Sequence, residues 1–136
     1  MALFTDVVTI ITKVPLNKWL WDFFSFETSE IGGYQFVVMR GVQWSEVLKR
    51  VNSNGVVAVH RELTVTFPQD IYKHINFDIF DEEMSIFLGE IKEEIADEKG
   101  KRLSDLLRKY PKSGLVKLVR DNSNRDFLKH VKVVVE

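Results

Sequence analysis

The stretch QWSEVLKRVNSNG spans residues 43–55 and joins an apolar segment to a cluster of turn-forming residues. Four apolar residues recur in it at i, i+3, i+4 and i+7: Trp44, Val47, Leu48 and Val51. This spacing predicts a helix over 43–51 with one apolar face. Asn52, Ser53, Asn54 and Gly55 then favour a turn that ends the helix, since glycine readily adopts positive φ.

The stretch VVAVHRELTVTF follows at 56–67 and is rich in β-branched residues. Alternate positions are apolar, which predicts a long strand ended by Pro68. Arg61 falls in the same register as the apolar residues. We therefore expect a bulge, or a junction between two strands, near His60 and Arg61.

Two further strands are predicted in the first third of the chain. Residues 5–14 (TDVVTIITKV) are dense in β-branched side chains and are followed by Pro15. Asn17 is a suitable N-cap for a short helix that would extend to Phe26. A break at Gly32 and Gly33 precedes the apolar stretch YQFVVMR at 34–40, which predicts a second strand.

The C-terminal half predicts a helical region and then a hairpin. Asp81 is a good N-cap, and a stripe of apolar residues predicts a helix over 81–98. Helical spacing resumes at 103–110 and ends at Pro111. Residues 115–120 and 127–135 predict a hairpin with its turn at 121–124. The stripe over 81–98 consists of Met84, Phe87, Leu88, Ile91 and Ile95.

These elements predict one α+β domain over residues 1–136. We expect a mixed or antiparallel sheet, about three helices packed mainly on one face, and a C-terminal β-hairpin. The chain has 45% apolar residues and no cysteine, which excludes a disordered chain, a disulfide scaffold and thiolate chemistry. Neither a secretory signal nor a membrane span is predicted. The expected location is the cytoplasm, or a host-cell interior or virion for a viral protein.

The nearly neutral net charge of −1 hides a division along the chain. Residues 1–98 contain 8 basic and 16 acidic residues, whereas residues 99–136 contain 11 basic and 4 acidic residues. The first part therefore has a net charge of −8 and the second +7. A helix with acids near its start and bases near its end explains part of this pattern. One alternative explanation is that the basic C-terminal part forms a binding surface. Another is that the acidic part of one copy contacts the basic part of a second copy.

The leading functional hypothesis is a non-enzymatic assembly protein, either a self-associating subunit or an adaptor. Two sets of residues are the candidate protein interface. The first set is an aromatic cluster that exceeds what one short helix can bury: Trp19, Trp21, Phe24 and Phe26. The second set consists of acids that would face Lys129 and Lys132 of another copy: Glu90, Glu93 and Glu94.

The alternative hypothesis is a nucleic-acid-binding accessory protein that uses its basic hairpin. The candidate phosphate contacts are Lys117, Arg120, Arg125, Lys129 and Lys132. Aromatic residues suited to base stacking are concentrated elsewhere in the chain, which weakens a single-strand-binding role.

A third hypothesis is a divalent-metal-dependent hydrolase centred on Asp70. Asp70 with Glu90 and Lys92 superficially matches the PD…ExK pattern of metal-dependent nucleases, but Glu90 and Lys92 fall within a predicted helix rather than a strand. The sequence contains no HExxH, P-loop, GxGxxG or GxSxG motif. No cofactor and no metal site are predicted.

Overall fold

The computed structural model describes residues 5–21, 26–80, 84–96, 98–121 and 130–136. Most of them lie in strands, which are β1 (Asp6–Thr12), β2 (Glu27–Ile31), β3 (Tyr34–Ser53), β4 (Val56–Pro68), β5 (Ser85–Leu88), β6 (Ser113–Asp121) and β7 (His130–Val135). The described α-helices are α1 (Gln69–Tyr72) and α2 (Leu103–Lys109), with 3-10 turns at Leu16–Lys18 and Phe77–Ile79.

The strands form one antiparallel sheet that closes on itself. Their order is β1-β5-β6-β7-β4-β3-β2, and an additional pairing of β1 with β3 joins six strands into a ring. The first part of β3 pairs with β1 on one side and β2 on the other. The second part of β3 pairs with β4 alone. Closure removes free edges from most of the sheet, because each strand of the ring has a neighbour on both sides.

A large apolar core fills the inside of this ring. Alternate residues of each strand point inwards, as the period of two requires. Val8 and Ile10 of β1 meet Met39 and Val37 of β3 across the pairing. The segments that follow β1 and β4 add Trp19 and further apolar residues to the same core: Leu20, Ile71, Ile75 and Phe80.

A second apolar cluster lies on the outside of the ring. Ile11, Phe36 and Phe87 point outwards from β1, β3 and β5 and are covered by residues of the 89–96 segment and α2. Thr9 fixes this segment because its hydroxyl donates to Gly89 O at 2.7 Å and accepts from Ile91 N at 2.9 Å. β1 and β5 are therefore buried on both faces.

The predicted α+β architecture with about three helices is wrong. The expected helix over 43–51 is part of β3, and the expected helix over 81–98 contains β5 and an irregular segment at 89–96. The expected helix from Asn17 is a 3-10 turn at Leu16–Lys18, and residues 22–25 lie outside the described ranges. In the described ranges α1 has only four residues and α2 seven.

Several local predictions agree with the structure. Strands occupy 6–12 and 34–40, the turn at 54–55 is present, and α2 lies within 103–110. β6 and β7 are adjacent and antiparallel, as expected for the C-terminal hairpin, although 122–129 lie outside the described residues. The expected bulge near Arg61 is absent, because the β3–β4 register runs continuously from Gln43 opposite Thr66 to Ser53 opposite Val56. No helix in the described residues is long and apolar enough to cross a membrane.

Candidate interaction surfaces

Residues 47–62 form a two-stranded arm that extends the sheet beyond the closed ring. In the ring, β4 pairs with β7 only from Leu63 onwards, and β3 pairs with β1 only up to Val42. Among the described strands, β3 and β4 pair only with each other within the arm, over seven residue pairs from Val47–Glu62 to Ser53–Val56. Seven extended residues span about 23 Å. Asn54 (φ 51°) and Gly55 (φ 77°) form the turn at its tip, as a two-residue hairpin loop requires.

The arm exposes aliphatic side chains that the ring would bury. Among the arm side chains that the structure describes, Leu48 is the most exposed large apolar one, at 69%. Val57 and Val59 lie on the same face of β4 as Leu63, Val65 and Phe67, which are buried. That face therefore changes from enclosed to exposed along a single strand. Val47 and Val56 of the arm are exposed as well.

Both long edges of the arm are open in the described part of the chain. Trp44 N donates to Asp6 Oδ2 at 2.9 Å, so the main-chain groups of Trp44 point towards the side occupied by β1. Alternate residues of a strand direct their N–H and C=O groups to the same side. Glu46, Leu48 and Arg50 therefore present theirs to the edge of β3 that β1 leaves uncovered.

Contacts at the base of the arm tie it to the ring. Arg61 donates from Nη2 to Pro111 O at 3.0 Å. Lys112 Nζ lies 3.8 Å from Glu46 Oε1, and that same oxygen accepts from Trp44 Nε1 at 3.4 Å. The base is thus held in place by contacts with the segment before β6.

The four aromatic candidates do not form one surface in the described residues. Trp19 is fully buried, with its ring edge against Phe80 at a centroid distance of 5.4 Å. Phe26 is partly buried against the inner core, and Phe24 lies outside the described residues. Trp21 is 67% exposed and is the one member described as accessible to a partner.

The acidic candidate Glu90 belongs to a charge network within the chain. Arg40 Nη2 donates to Glu90 Oε2 at 3.0 Å and to Glu27 Oε1 at 3.3 Å. Lys92 Nζ lies 3.0 Å from Glu90 Oε1. Hydrogen bonds from Lys92 and then Arg40 lower the pKa of Glu90, and the bond to Glu90 raises the pKa of Lys92. This network attaches the 89–96 segment to β2 and β3.

The other two acidic candidates pair with the region around α2. Lys109 Nζ donates to Glu93 Oε1 at 2.7 Å. This bond, followed by one with Tyr110, lowers the pKa of Glu93 and raises that of Lys109. Glu94 Oε2 lies 3.9 Å from Lys101 Nζ. The acidic and basic parts of the sequence thus meet within one molecule, and all three acids already have cationic partners.

The basic candidates are divided between paired and unpaired positions. Lys117 Nζ lies 2.9 Å from Glu136 Oε2. Arg120 and Lys132 are directly opposite each other on β6 and β7, and neither forms an ion pair with the acids that the structure describes. Like charges in this arrangement repel each other. Arg125 and Lys129 lie outside the described residues.

The structure brings together no set of side chains suited to metal chemistry in its described ranges. No group of three or more His, Asp or Glu residues there could hold a metal ion. Asp70 lies exposed on α1, while Glu90 and Lys92 neutralise each other in the network with Arg40. A recess of about 470 Å³ lies between the β2–β3 turn and α2, and Lys13 at its rim covers the Tyr34 ring at 5.0 Å.

The sequence-based search missed the arm as a surface. A signal for it was present, because Asn54-Gly55 between two aliphatic segments is a strong indication of a hairpin. The helical spacing of residues 44–51 led to those turn residues being interpreted as a helix terminus.

No protein-family model, no curated protein and no solved structure matches this chain. Its function must therefore be argued from its own surfaces.

Proposed function

We propose that this chain is a non-enzymatic assembly protein that associates through its arm. The observation that supports this proposal is the exposure of aliphatic side chains on a hairpin whose two edges no described strand covers. The large apolar residues of the arm that the structure describes as exposed are Val47, Leu48, Val56, Val57 and Val59.

Such an arm is unfavourable in a monomeric protein, because it promotes association and adds little stability. Unpaired strand edges and exposed aliphatic residues promote association, and most proteins blunt them with charges, bulges or covering segments. An isolated two-stranded ribbon is also marginally stable, because its side chains have little to pack against. A partner strand or surface would supply main-chain hydrogen bonds and remove apolar surface from water.

The experiment is light scattering over a range of protein and salt concentrations. We expect a mass above that of the 15.9 kDa monomer. The triple variant Leu48→Thr, Val57→Thr, Val59→Thr removes apolar character from one face of the arm and retains good β-formers. It should weaken association by roughly tenfold or more, since burial of even one such side chain contributes about 1.5–3 kcal/mol.

The matched control is Leu118→Thr, which changes an exposed leucine on β6 outside the arm. It should leave the mass unchanged. A wild-type protein that stays monomeric at every concentration would contradict the proposal, as would equal weakening by the control. Circular dichroism and the thermal midpoint establish that each variant is folded.

A second candidate function is nucleic-acid binding by the outer face of β6 and β7. It is favoured by Arg120 and Lys132, which place two positive charges side by side. Binding of RNA or DNA should weaken steeply with salt, and Arg120→Gln should reduce the slope against log salt by about one. Lys117→Gln is the control because Lys117 already pairs with Glu136. Absence of binding at low salt would exclude this candidate.

A further inference from the structure

We infer that the arm's partner is a second copy of this chain, joined edge to edge along β3 about a two-fold axis at Leu48. This inference rests on the proposed function and specifies its partner and register. The product would be a continuous four-stranded ribbon in the order β4, β3, β3 of the second copy, β4 of the second copy.

The edge of β3 beyond Trp44, which no described strand covers, has the right hydrogen-bonding groups for this contact. The main-chain groups of Glu46, Leu48 and Arg50 face that edge, as the bond from Trp44 N to Asp6 Oδ2 indicates. Asp6 already occupies the edge at Trp44, so pairing begins beyond it. In antiparallel pairing centred on Leu48, these three residues and their counterparts in the second copy would exchange six main-chain hydrogen bonds.

The side chains around Leu48 are self-complementary in charge. A two-fold axis through an antiparallel pair places residue 48 + k opposite residue 48 − k of the other copy. Glu46 therefore lies opposite Arg50 of the second copy, and the reverse pair forms on the other side of the axis. Opposite charges in directly facing positions stabilise strand pairing. The axis at Leu48 brings this residue, 69% exposed in the single chain, against its counterpart in the second copy.

Other registers of the arm lack this match. Residues that face each other across a pairing must share a face of the sheet, so the axis must coincide with a residue position. Moving the axis to Val47 sets Glu46 against Leu48 of the second copy. On the edge of β4, an axis at Val59 sets Val57 against Arg61 of the second copy. Charge complementarity thus favours the β3 edge and the axis at Leu48.

Glu46 Oε2 and the Arg50 guanidinium are the groups that would make these contacts. Both described contacts of Glu46 use Oε1, and the distances of 3.4 and 3.8 Å are long. Arg50 is exposed and forms no ion pair within the described residues. Pairing with a second copy would supply both side chains with partners of opposite charge.

Disulfide trapping tests the register directly, because the chain has no cysteine of its own. Hydrogen-bonded residues of an antiparallel pair have Cα atoms about 5.5 Å apart, within the range that a disulfide spans. Under mild oxidation Leu48→Cys should form a covalent dimer. Val57→Cys is the matched control, since Val57 is 60% exposed on the same arm but lies on the other strand. It should cross-link at a rate at least tenfold lower.

A charge exchange tests the pairing without cysteine. Glu46→Arg and Arg50→Glu each place like charges opposite each other and should weaken dimerisation by roughly tenfold, whereas the double variant should recover most of the wild-type affinity. If the wild type associates but Leu48→Cys and Val57→Cys cross-link equally and the double variant shows no recovery, the register is wrong while the proposed function stands. A wild type that remains monomeric overturns both.

Discussion

β4 crosses two environments, and its inner face has a different role in each. From Leu63 to Phe67 the strand has neighbours on both sides, β3 and β7, and its inward side chains are fully buried or nearly so. From Val56 to Glu62 its one neighbour among the described strands is β3, and Val57 and Val59 on that same face are about 60% exposed. The composition hardly changes along the strand. The number of neighbouring strands decides whether a valine stabilises the fold or is available to a partner.

This difference separates stability from recognition within one strand. Residues in the ring gain from burial by the chain itself, so their substitution affects folding. Residues in the arm would gain burial only from a partner, so under the proposed function we expect their substitution to affect association. The arm is attached to the ring through Arg61 and Glu46, which would hold its position in the absence of a partner.

The largest expected effect compares two positions on one face of β4. Phe67→Ala removes a fully buried ring and should reduce the free energy of unfolding by about 3–5 kcal/mol. Val57→Ala should change it by about 0.5 kcal/mol or less, because the side chain is exposed. Urea unfolding at low protein concentration measures both values. Equal losses would mean that the arm is packed against the ring.

An intermediate effect is expected at the β2–β3 turn. Gly32 and Gly33 both have positive φ, at 61° and 84°. A Cβ at Gly32 would lie 2.0 Å from Ile95 O, whereas one at Gly33 would meet nothing within 4 Å. Gly32→Ala should therefore destabilise the fold by about 1–3 kcal/mol more than Gly33→Ala, since it adds a backbone clash to a similar strain. Thermal unfolding of the two variants would reveal whether the 89–96 segment packs this closely.

The smallest expected effect concerns pH and the ion pairs that hold the 89–96 segment on the outside of the ring. The pKa values of Glu90 and Glu93 are lowered by their cationic partners. Their contribution to stability is therefore present above the unfolded-state pKa of about 4.3 and is lost as the pH falls through the folded-state pKa. Stability should decline below about pH 4.5, and by less in Glu93→Gln. Salt should reduce the effect because the groups are largely exposed.

The control for the pH series is Glu30→Gln, which changes an exposed acid that accepts a hydrogen bond from the neutral Gln35. Its dependence of stability on pH should follow that of the wild type. If stability depended on pH in Glu93→Gln as it does in the wild type, the bond to Lys109 would not contribute to holding the 89–96 segment against α2. The arm has no part in this effect, so Arg50→Gln should also leave the response unaltered.

Hydrophobic periodicity predicted the wrong structure in two places, for two physical reasons. In residues 44–51 the helical spacing does not correspond to one buried side, because Val47 and Leu48 lie on opposite faces of the arm and both are exposed. In residues 84–95 the apolar residues serve two cores: Met84 points into the ring, whereas Phe87 and Ile91 pack outside it. The apolar residues of β5 and of the 89–96 segment are buried in two different clusters, but together their positions have the spacing of one helix face.

The candidate surfaces were predictable to a smaller extent than the strands. The sequence indicated an excess of acids before residue 98 and of bases after it, and the structure shows these charges meeting as Glu93 with Lys109 and Glu94 with Lys101. Counting charges gives the net charge of a segment, but it does not show which other segment lies beside it in the fold. The accessible Trp21 and the buried Trp19 are two residues apart in sequence, and only packing distinguishes them.

The sequence by itself determined the local features of this protein. β-Branched side chains favour the strands at 6–12 and 34–40, a two-residue turn needs positive φ at Asn54 and Gly55, and helical spacing defines α2. Tertiary structure alone decided which strands have neighbours on both sides. That depends on pairings between distant segments, above all β1 with β3 and β4 with β7. Where those pairings end, the same aliphatic sequence that fills the core becomes the exposed arm.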